Sequence, residues 1–361
     1  MFTLEELCIE ITGKCLMHCR HCSSSCTESN LSSLSYDCIL RIFDEARLLG
    51  TKTIEISGGE PLLHPRILDI IREAKKYFEV RLYTSGFLGD CEGIPTLLIS
   101  SMASLGLDRI IFNLQGASAE IHEQITMTPG SFECVIASIR QAKAAGLWTG
   151  VHFVPMLPNV KEIGALAELC RAFRVDELAI LRFVNQGRGS INSGELELAN
   201  GDFQALVMDI VREKRMSDSL YLRTGCPMNF CSFVDSDIRP VKCKAGLSTL
   251  LINFDGRVVP CPAFKQEQAF TIGNITQSSL TDLWHHSDRL RQLRTFDFRR
   301  IRVCNECNRL DVCQGRCMAQ RFYATGSIYE GPDPLCPYKQ DKSLSKKKEI
   351  GSSVLEFSGR K

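Results

Sequence analysis

The sequence predicts an α/β fold, a partial (β/α)6 TIM-like barrel followed by a small cysteine-rich domain organised by metal clusters. Three observations predict it. Short apolar segments alternate with longer segments of helical periodicity, this alternation stops after Lys214, and nine cysteines lie between Cys226 and Cys336. Six strand-then-helix units favour a parallel sheet with right-handed crossovers, and six is fewer than the eight units of a closed barrel.

The predicted strands are short and rich in Ile, Val, Leu and Phe, as expected for strands buried on both faces. They are Leu7–Thr12, Thr53–Ser57, Val80–Thr84, Arg109–Gln115, Thr149–Pro155 and Leu178–Val184. Between them, apolar residues recur at helical spacing. The clearest cases are Ile39, Ile42, Phe43 and Ala46, then Ile67, Ile70, Ile71 and Ala74, then Leu166, Leu169, Cys170 and Phe173.

The chain divides into a barrel over residues 1–216, a cysteine-rich domain over 226–340 and a tail over 341–361. The tail is rich in Ser and Lys, which predicts disorder. Within the second domain, Leu250–Asn253 and Arg257–Val259 flank the dipeptide Asp255-Gly256. Asp-Gly favours a tight turn, so this stretch predicts a β-hairpin.

Charge and hydropathy exclude several classes of protein. Lys plus Arg total 43 and Asp plus Glu 42, for a net charge of +1, so nothing favours nucleic acid or an anionic membrane as the main partner. No run of about 18 apolar residues predicts a transmembrane helix. The N-terminus lacks the pattern of a secretory signal, so we expect a cytoplasmic protein. The 18 cysteines fall mostly in local groups, which in a reducing compartment indicates metal or cluster ligation rather than disulfides.

The first cysteine group is Cys15, Cys19 and Cys22, a C-x3-C-x2-C pattern in the loop after the first strand. Three thiolates suit an iron–sulfur cluster, and three ligands leave one iron of a [4Fe–4S] cluster open. A structural zinc site would need a fourth ligand. Cys26 lies nearby and is an alternative fourth ligand.

The tripeptide Gly58-Gly59-Glu60 follows the second strand. Together with the three cysteines it resembles the radical S-adenosylmethionine (SAM) superfamily, over roughly Leu7 to Val184. The resemblance implies that the open iron is chelated by SAM and that the Gly-Gly-Glu strip holds the SAM ammonium. It adds Ser85 and Asn113 as further candidate SAM contacts. Relatives often hold the SAM carboxylate with an Arg, but Thr126 stands at that position. Arg182 is a possible substitute, and a salt bridge at the barrel rim is the alternative for it.

The second cysteine group, taken in order, resembles the SPASM domain, over about Cys226 to Tyr338. By this resemblance, Cys243, Cys261 and Cys317 join an upstream cysteine in one auxiliary [4Fe–4S] cluster. We prefer Cys226 to Cys231 as that upstream ligand. A second auxiliary cluster would be held by Cys304, Cys307, Cys313 and Cys336. The alternative is a zinc site made by Cys304, Cys307, Cys313 and Cys317.

The two resemblances imply a radical SAM oxidoreductase or maturase. Such an enzyme reductively cleaves SAM to a 5′-deoxyadenosyl radical, which abstracts a hydrogen from substrate. We expect a low-potential electron donor of the ferredoxin or flavodoxin type and a peptide or protein substrate. The chain starts close to its first strand, which disfavours a leader-guided peptide, and Pro262 after Cys261 disfavours sulfatase maturation. The alternatives are a small-molecule substrate, such as a tetrapyrrole or sugar intermediate, and a non-catalytic electron carrier or sensor.

Overall fold

A ten-stranded sheet forms the centre of the molecule, in the order β10-β9-β8-β1-β2-β3-β4-β5-β6-β7. The computed structural model describes residues 2–89, 92–216 and 219–338, so the tail predicted over 341–361 lies outside the described residues. The strands are β1 (Glu6–Glu10), β2 (Thr53–Ser57), β3 (Glu79–Thr84), β4 (Arg109–Asn113), β5 (Trp148–Phe153), β6 (Glu177–Ile180), β7 (Tyr221–Thr224), β8 (Thr249–Ile252), β9 (Arg257–Val259) and β10 (Gly273–Asn274).

Strands β1 to β7 are parallel and adjacent in chain order. The α/β barrel prediction is confirmed, and β1 to β6 correspond to the six predicted strands. The expectation that the alternation stops after Lys214 is wrong, because β7 follows and pairs with β6 from Glu177↔Tyr221 to Ile180↔Thr224. This strand has only four residues, and Tyr221 at its start is exposed, so no apolar run marks it in the sequence.

The helices pack around this sheet by their apolar faces. They are α1 (Tyr36–Leu48), α2 (Ile67–Ala74), α3 (Thr96–Ser104), α4 (Ala119–Thr126), α5 (Ser131–Ala144), α6 (Ile163–Ala172), α7 (Arg188–Ile191), α8 (Ser193–Leu196), α9 (Asn200–Arg215), α10 (Cys231–Val234), α11 (Leu280–His286), α12 (Asp288–Arg294), α13 (Leu310–Cys313) and α14 (Met318–Thr325). In α1, the Ser35 side chain accepts a hydrogen bond from the Cys38 amide and caps the helix. Its predicted apolar face, including Ile39 and Phe43, is buried.

The C-terminal region is built onto the barrel. Strand β8 runs parallel to β1, and the predicted hairpin is present as β8 and β9, which are antiparallel. The apolar residues of this region continue the barrel core. Phe264 and Phe270 stack with ring centroids 3.8 Å apart, and the fully buried Trp284 belongs to the same core. The cysteine-rich region therefore has an apolar core in addition to its cysteines.

A buried ion pair joins the barrel to the C-terminal segment. Arg182, just beyond β6, donates from both terminal nitrogens to the Asp333 carboxylate at 2.7 and 2.8 Å. The two side chains are only 5% and 2% exposed. The nearby arginines hold the pKa of Asp333 below its usual range against the opposing effect of burial, so the pair is charged.

We predict that Asp333→Asn lowers the free energy of unfolding by about 3–5 kcal/mol, because it leaves the Arg182 guanidinium buried without its counter-charge. Anaerobic urea unfolding followed by circular dichroism measures it. Asp311→Asn is the matched control, since Asp311 pairs with Arg299 on the surface with its side chain 89% exposed and such pairs contribute little. Equal stability of the two variants would contradict a linking role for the buried pair.

Candidate active site and cysteine groups

The C-terminal ends of the parallel strands surround a cavity of about 270 Å³. In parallel α/β barrels, sites form at this edge of the sheet. Seven of the predicted site residues line the cavity together: Cys15, Cys19, Cys22, Gly58, Gly59, Ser85 and Asn113. The structure therefore brings these seven residues together at one cavity, whereas Glu60 and Arg182 do not line it.

The cysteine loop folds over the end of β1. The Cys15 amide donates to the Thr27 carbonyl at 3.1 Å, and the Cys22 amide donates to the Cys19 carbonyl at 3.2 Å. Burial raises the pKa of the Cys15 thiol to about 12, whereas contact with the Cys26 thiol and the charge of Arg188 lower that of Cys22 to about 5. Cys26 is buried and lines the same cavity.

The two glycines let this loop lie directly against the end of β2. A side chain at Gly59 would put its Cβ 2.3 Å from the Lys14 carbonyl oxygen, and one at Gly58 would be 2.6 Å from the Thr12 oxygen. The Gly59 amide donates to the Thr12 carbonyl at 2.7 Å, and the Glu60 amide donates to that of Lys14 at 2.7 Å. Only glycine permits such a close approach of backbones. The Gly-Gly pair therefore fixes the position of the cysteine loop.

The Glu60 carboxylate faces the interior of the fold rather than the cavity. It accepts hydrogen bonds from Thr84 Oγ1 at 2.8 Å, from the Ser85 amide at 2.7 Å, from Ser85 Oγ at 2.5 Å and from the Leu62 amide at 3.1 Å. Burial raises its pKa, and these hydrogen bonds oppose that effect. A direct side-chain contact with a SAM ammonium does not fit this geometry. Glu60 and Ser85 instead lock the ends of β2 and β3 together.

Asn113 reaches the cavity from the end of β4, and its Oδ1 accepts a hydrogen bond from Gln115 Nε2 at 2.5 Å. Gln115 is fully buried, and its Oε1 accepts from the Val154 amide at 3.1 Å. Thr126 lies elsewhere, fully buried with its hydroxyl 2.9 Å from Ser131 Oγ. Thr126 therefore does not replace the Arg that relatives use at the SAM carboxylate.

The structure favours the salt-bridge alternative for Arg182. Both of its terminal nitrogens are bonded to Asp333, and it borders a separate, smaller cavity of about 170 Å³. Arg182 does not line the cavity that contains Cys15, Cys19 and Cys22. The candidate assignment of Arg182 to the SAM carboxylate is corrected for this reason.

Arg188 is a cavity residue that the sequence analysis missed. Its Nε donates to the Cys19 carbonyl at 2.9 Å and its Nη1 to that of Cys26 at 2.7 Å, and its amide donates to Cys22 at 3.0 Å. Gly187 makes this possible, because its φ is +60° and a Cβ there would lie 2.5 Å from the Cys22 oxygen. In the sequence, the Gly187-Arg188 dipeptide follows β6 and no local pattern connects it to the cysteines. Sequence patterns therefore could not identify Arg188.

Lys265 brings a second cation into the same cavity from the C-terminal region. Its Nζ donates to Glu10 Oε1 at 2.7 Å and to Ser24 Oγ at 2.8 Å. The Lys265 side chain is 11% exposed and that of Glu10 is 1% exposed. Burial alone would lower the pKa of Lys265, but the Glu10 charge outweighs it and raises the pKa. The C-terminal region thus completes the wall of the barrel cavity.

Four C-terminal cysteines form one group beside the barrel rim. Cys226 is close enough to hydrogen-bond Cys243 and Cys317. Burial is the main cause that raises the pKa of Cys261, and the charges of Cys243 and Cys317 raise it further. Cys231 is fully buried, and burial is the main cause that raises its pKa. The charged groups that oppose this rise are Lys214 and Arg316, and no other cysteine among the described residues acts on it. This geometry favours Cys226 over Cys231 as the upstream member.

The remaining four cysteines form a second group. The pKa of Cys304 is raised to about 12, mainly by burial, and Cys313, Cys336 and Cys307 add to it. Cys313 and Cys317 belong to different groups although they stand close in sequence, so the two groups interleave along the chain.

Comparisons with known proteins follow the same two-part division. The sequence matches the Radical SAM superfamily over residues 9–170 and the SPASM family, described as an iron-sulfur cluster-binding domain, over residues 243–308. The chain carries a radical SAM domain followed by a SPASM domain. As a radical SAM protein with a SPASM domain it is an enzyme, and it binds SAM and iron–sulfur clusters.

One curated protein and several solved structures resemble this chain over most of its length. The AdoMet-dependent heme synthase of Methanosarcina barkeri (strain Fusaro / DSM 804) is 24% identical over 351 residues, covering 92% of this chain and 96% of that protein. SuiB of Streptococcus suis bound to S-adenosylmethionine is 17% identical with a TM-score of 0.71, and the match covers 93% of this chain and 77% of that chain. Native anSMEcpe with bound AdoMet and Cp18Cys peptide is 15% identical with a TM-score of 0.69, and the match covers 94% of this chain and 96% of that chain. The likenesses to solved structures establish the fold.

The three cysteine groups fit iron–sulfur clusters by the chemistry of their donors. Each group presents only thiols, the soft ligands that such clusters take. Within the described ranges, no three His, Cys, Asp or Glu side chains are arranged around a single metal-ion position.

Among the same described residues, no helix has the length and hydropathy needed to cross a membrane.

We predict that Glu60→Gln weakens SAM binding about tenfold or more while the iron content stays unchanged. The amide cannot replace a carboxylate that accepts four hydrogen bonds, and bonds to a charged group contribute about 1.5–3 kcal/mol each. Anaerobic calorimetric titration with SAM measures it. Glu79→Gln is the control, because Glu79 begins β3 at the opposite edge of the sheet and pairs with Arg81 and Arg109. Wild-type SAM affinity in the Glu60 variant would exclude its positioning role.

Proposed function

We propose that this enzyme holds a [4Fe–4S] cluster on Cys15, Cys19 and Cys22 and uses it for radical chemistry on a peptide or protein. With SAM bound, such a cluster supplies the electron that yields methionine and a 5′-deoxyadenosyl radical, which abstracts a hydrogen from substrate. One observation carries the proposal: the three thiols and the Gly58-Gly59 backbone line one cavity at the C-terminal edge of the sheet.

The chain's own residues would bind and orient SAM in this cavity. The Gly58 and Gly59 carbonyls are available for its ammonium, because no side chain covers the backbone there. Asn113 offers amide hydrogen bonds from the β4 end. The cations of Arg188 and Lys265 line the cavity and favour a carboxylate. We therefore assign the SAM carboxylate to this pair rather than to Arg182.

The C-terminal cysteines support two auxiliary [4Fe–4S] clusters. We assign Cys226, Cys243, Cys261 and Cys317 to the first and Cys304, Cys307, Cys313 and Cys336 to the second. The barrel would then occupy 1–216 together with β7, followed by the SPASM domain over 226–340. A low-potential donor of the ferredoxin or flavodoxin type would reduce the cluster on the Cys15 loop. The 18 cysteines, grouped as cluster ligands rather than as disulfides, are compatible with a reducing, cytoplasmic location.

The likeness of the fold to peptide-bound proteins supports a peptide or protein substrate. SuiB bound to precursor peptide SuiA has a TM-score of 0.73 with this chain, and its match covers 93% of this chain. The anSMEcpe structures hold two different peptides. Pro262 after Cys261 disfavours sulfatase maturation within this class.

A tetrapyrrole is the second candidate substrate. The relative named as a heme synthase is matched over nearly its whole length, with 96% of it covered. An iron porphyrin with propionate side chains tests this candidate, since binding shifts its visible absorption. A peptide encoded beside the gene tests the first, by a change of its mass.

The proposed function is tested by anaerobic incubation of the iron-loaded enzyme with SAM and dithionite. We expect 5′-deoxyadenosine and methionine in equal amounts, and neither product from a variant with alanine at Cys15, Cys19 and Cys22. No 5′-deoxyadenosine from the fully loaded wild type would overturn the proposal. A mass change in the peptide supports the peptide class, whereas a porphyrin product without any peptide modification supports the tetrapyrrole class.

We predict that Cys226→Ala loses about four of about twelve irons per chain, because it removes one ligand of the first auxiliary cluster. Cys231→Ala is the matched control and should keep all of them, since Cys231 is buried apart from the other thiols. Iron analysis and electron paramagnetic resonance of the reduced proteins measure both. The opposite pattern would assign Cys231 as the ligand, and about four irons in the wild type would refute both auxiliary clusters.

A further inference from the structure

Arg316 is a buried cation without an evident partner. Arg316 is only 3% exposed, and none of its three guanidinium nitrogens has a hydrogen-bond partner among the described residues. The Cys313 thiol is nevertheless near enough to stabilise the cation. A buried charge without compensation is strongly unfavourable. The guanidinium nitrogens of Arg316 are therefore available to a further hydrogen-bond acceptor.

The backbone around Arg316 adopts a conformation that turns this side chain inward. Gln314, Gly315 and Arg316 have consecutive φ angles of 52°, 69° and 58°. Non-glycine residues seldom adopt the left-handed region, and such conformations concentrate at functional sites. The turn connects Cys313 of the second auxiliary group to Cys317 of the first. Its shape places a guanidinium where the two groups meet.

Two aromatic rings hold the guanidinium in place. Its Cζ lies 3.4 Å from the centroid of the Phe230 ring and 4.4 Å from that of Phe233. Cation–π contacts of this kind fix the plane of the group without using its N–H donors. The negative groups that act on it are Cys313, Asp333 and Cys336, two of which are thiols of the second group.

The neighbouring buried arginines have no comparable freedom. Arg182 donates hydrogen bonds from both terminal nitrogens to the Asp333 carboxylate. Arg321 donates to the carbonyls of Gly331, Ile328 and Gly315. Of these three arginines, Arg316 alone makes no guanidinium hydrogen bond among the described residues, and the Cys313 and Cys336 thiols act on its charge.

We propose that Arg316 is a positioning residue that donates N–H···S hydrogen bonds to the second auxiliary cluster, on the Cys313 and Cys336 side, and raises its reduction potential. The inference rests on the proposed assignment of Cys304, Cys307, Cys313 and Cys336 as cluster ligands. Hydrogen bonds to the sulfurs and a nearby positive charge stabilise the more negative, reduced form of a cluster. The second cluster is thereby made easier to reduce than its thiolate ligands alone would allow.

The test is a redox titration of the iron-loaded full chain followed by electron paramagnetic resonance. Cys307→Ala and Cys243→Ala first identify the two auxiliary signals by removing one each. Arg316→Met should then lower the ratio of reduced to oxidised second cluster about tenfold at the wild-type midpoint, which is about 59 mV for one electron. Arg316→Lys, which keeps the charge, should shift it less, and Arg316→Gln should lie between Lys and Met.

Arg309→Met is the matched control, because Arg309 is exposed and packs on the same Phe233 ring at 5.4 Å. It should leave the second midpoint unchanged. A midpoint in Arg316→Met equal to that of the control, or an equal shift of the first auxiliary cluster, would overturn the inference. If the Met variant does not retain the second cluster, the order wild type, Lys, Gln decides, and any other order overturns it. Failure to form 5′-deoxyadenosine would overturn the proposed function without affecting this potential.

Discussion

The close backbone approach between the end of β2 and the cysteine loop is the constraint on which the rest of the site depends. Gly58 and Gly59 lie against Thr12 to Cys15 at distances that exclude any side chain. Glu60 then ties this turn to Thr84 and Ser85 on the next strand. One tripeptide thus sets the position of the thiols, exposes backbone carbonyls to the cavity and joins two strand ends.

The C-terminal region belongs to the same mechanical unit as the barrel. Strand β8 extends the sheet beside β1, Lys265 enters the barrel cavity, and Arg182 pairs with Asp333 across the junction. Because these contacts are buried, the two auxiliary cysteine groups are held in a fixed relation to the cavity. Such an arrangement suits electron transfer between clusters, which depends on constant separations. It also explains why the apolar core is continuous through both regions.

Much of this could be predicted from the sequence, because buried parallel strands and short cysteine spacings are local patterns. The strand Thr53–Ser57 was predicted at its observed limits, and the short Cys spacings are visible in the sequence itself. The direction of a side chain at a strand end has no local signal, so sequence patterns could not predict the inward orientation of Glu60 or decide between the two interpretations of Arg182. Arg188 and Lys265 reach the cavity only through tertiary packing. Strand β7 is too short and too exposed to be recognised from hydropathy.

The most direct measurement is electron–nuclear double resonance on the reduced Cys226→Ala, Cys304→Ala double variant, which retains only the cluster of the Cys15 loop. SAM labelled with ¹⁵N at its amino group and ¹⁷O at its carboxylate is added anaerobically. Chelation at an open iron beside Gly58 and Gly59 predicts resolved hyperfine coupling from both labels. A protein that holds about four irons yet shows no coupling from either label would contradict the assignment of this cavity as the SAM site.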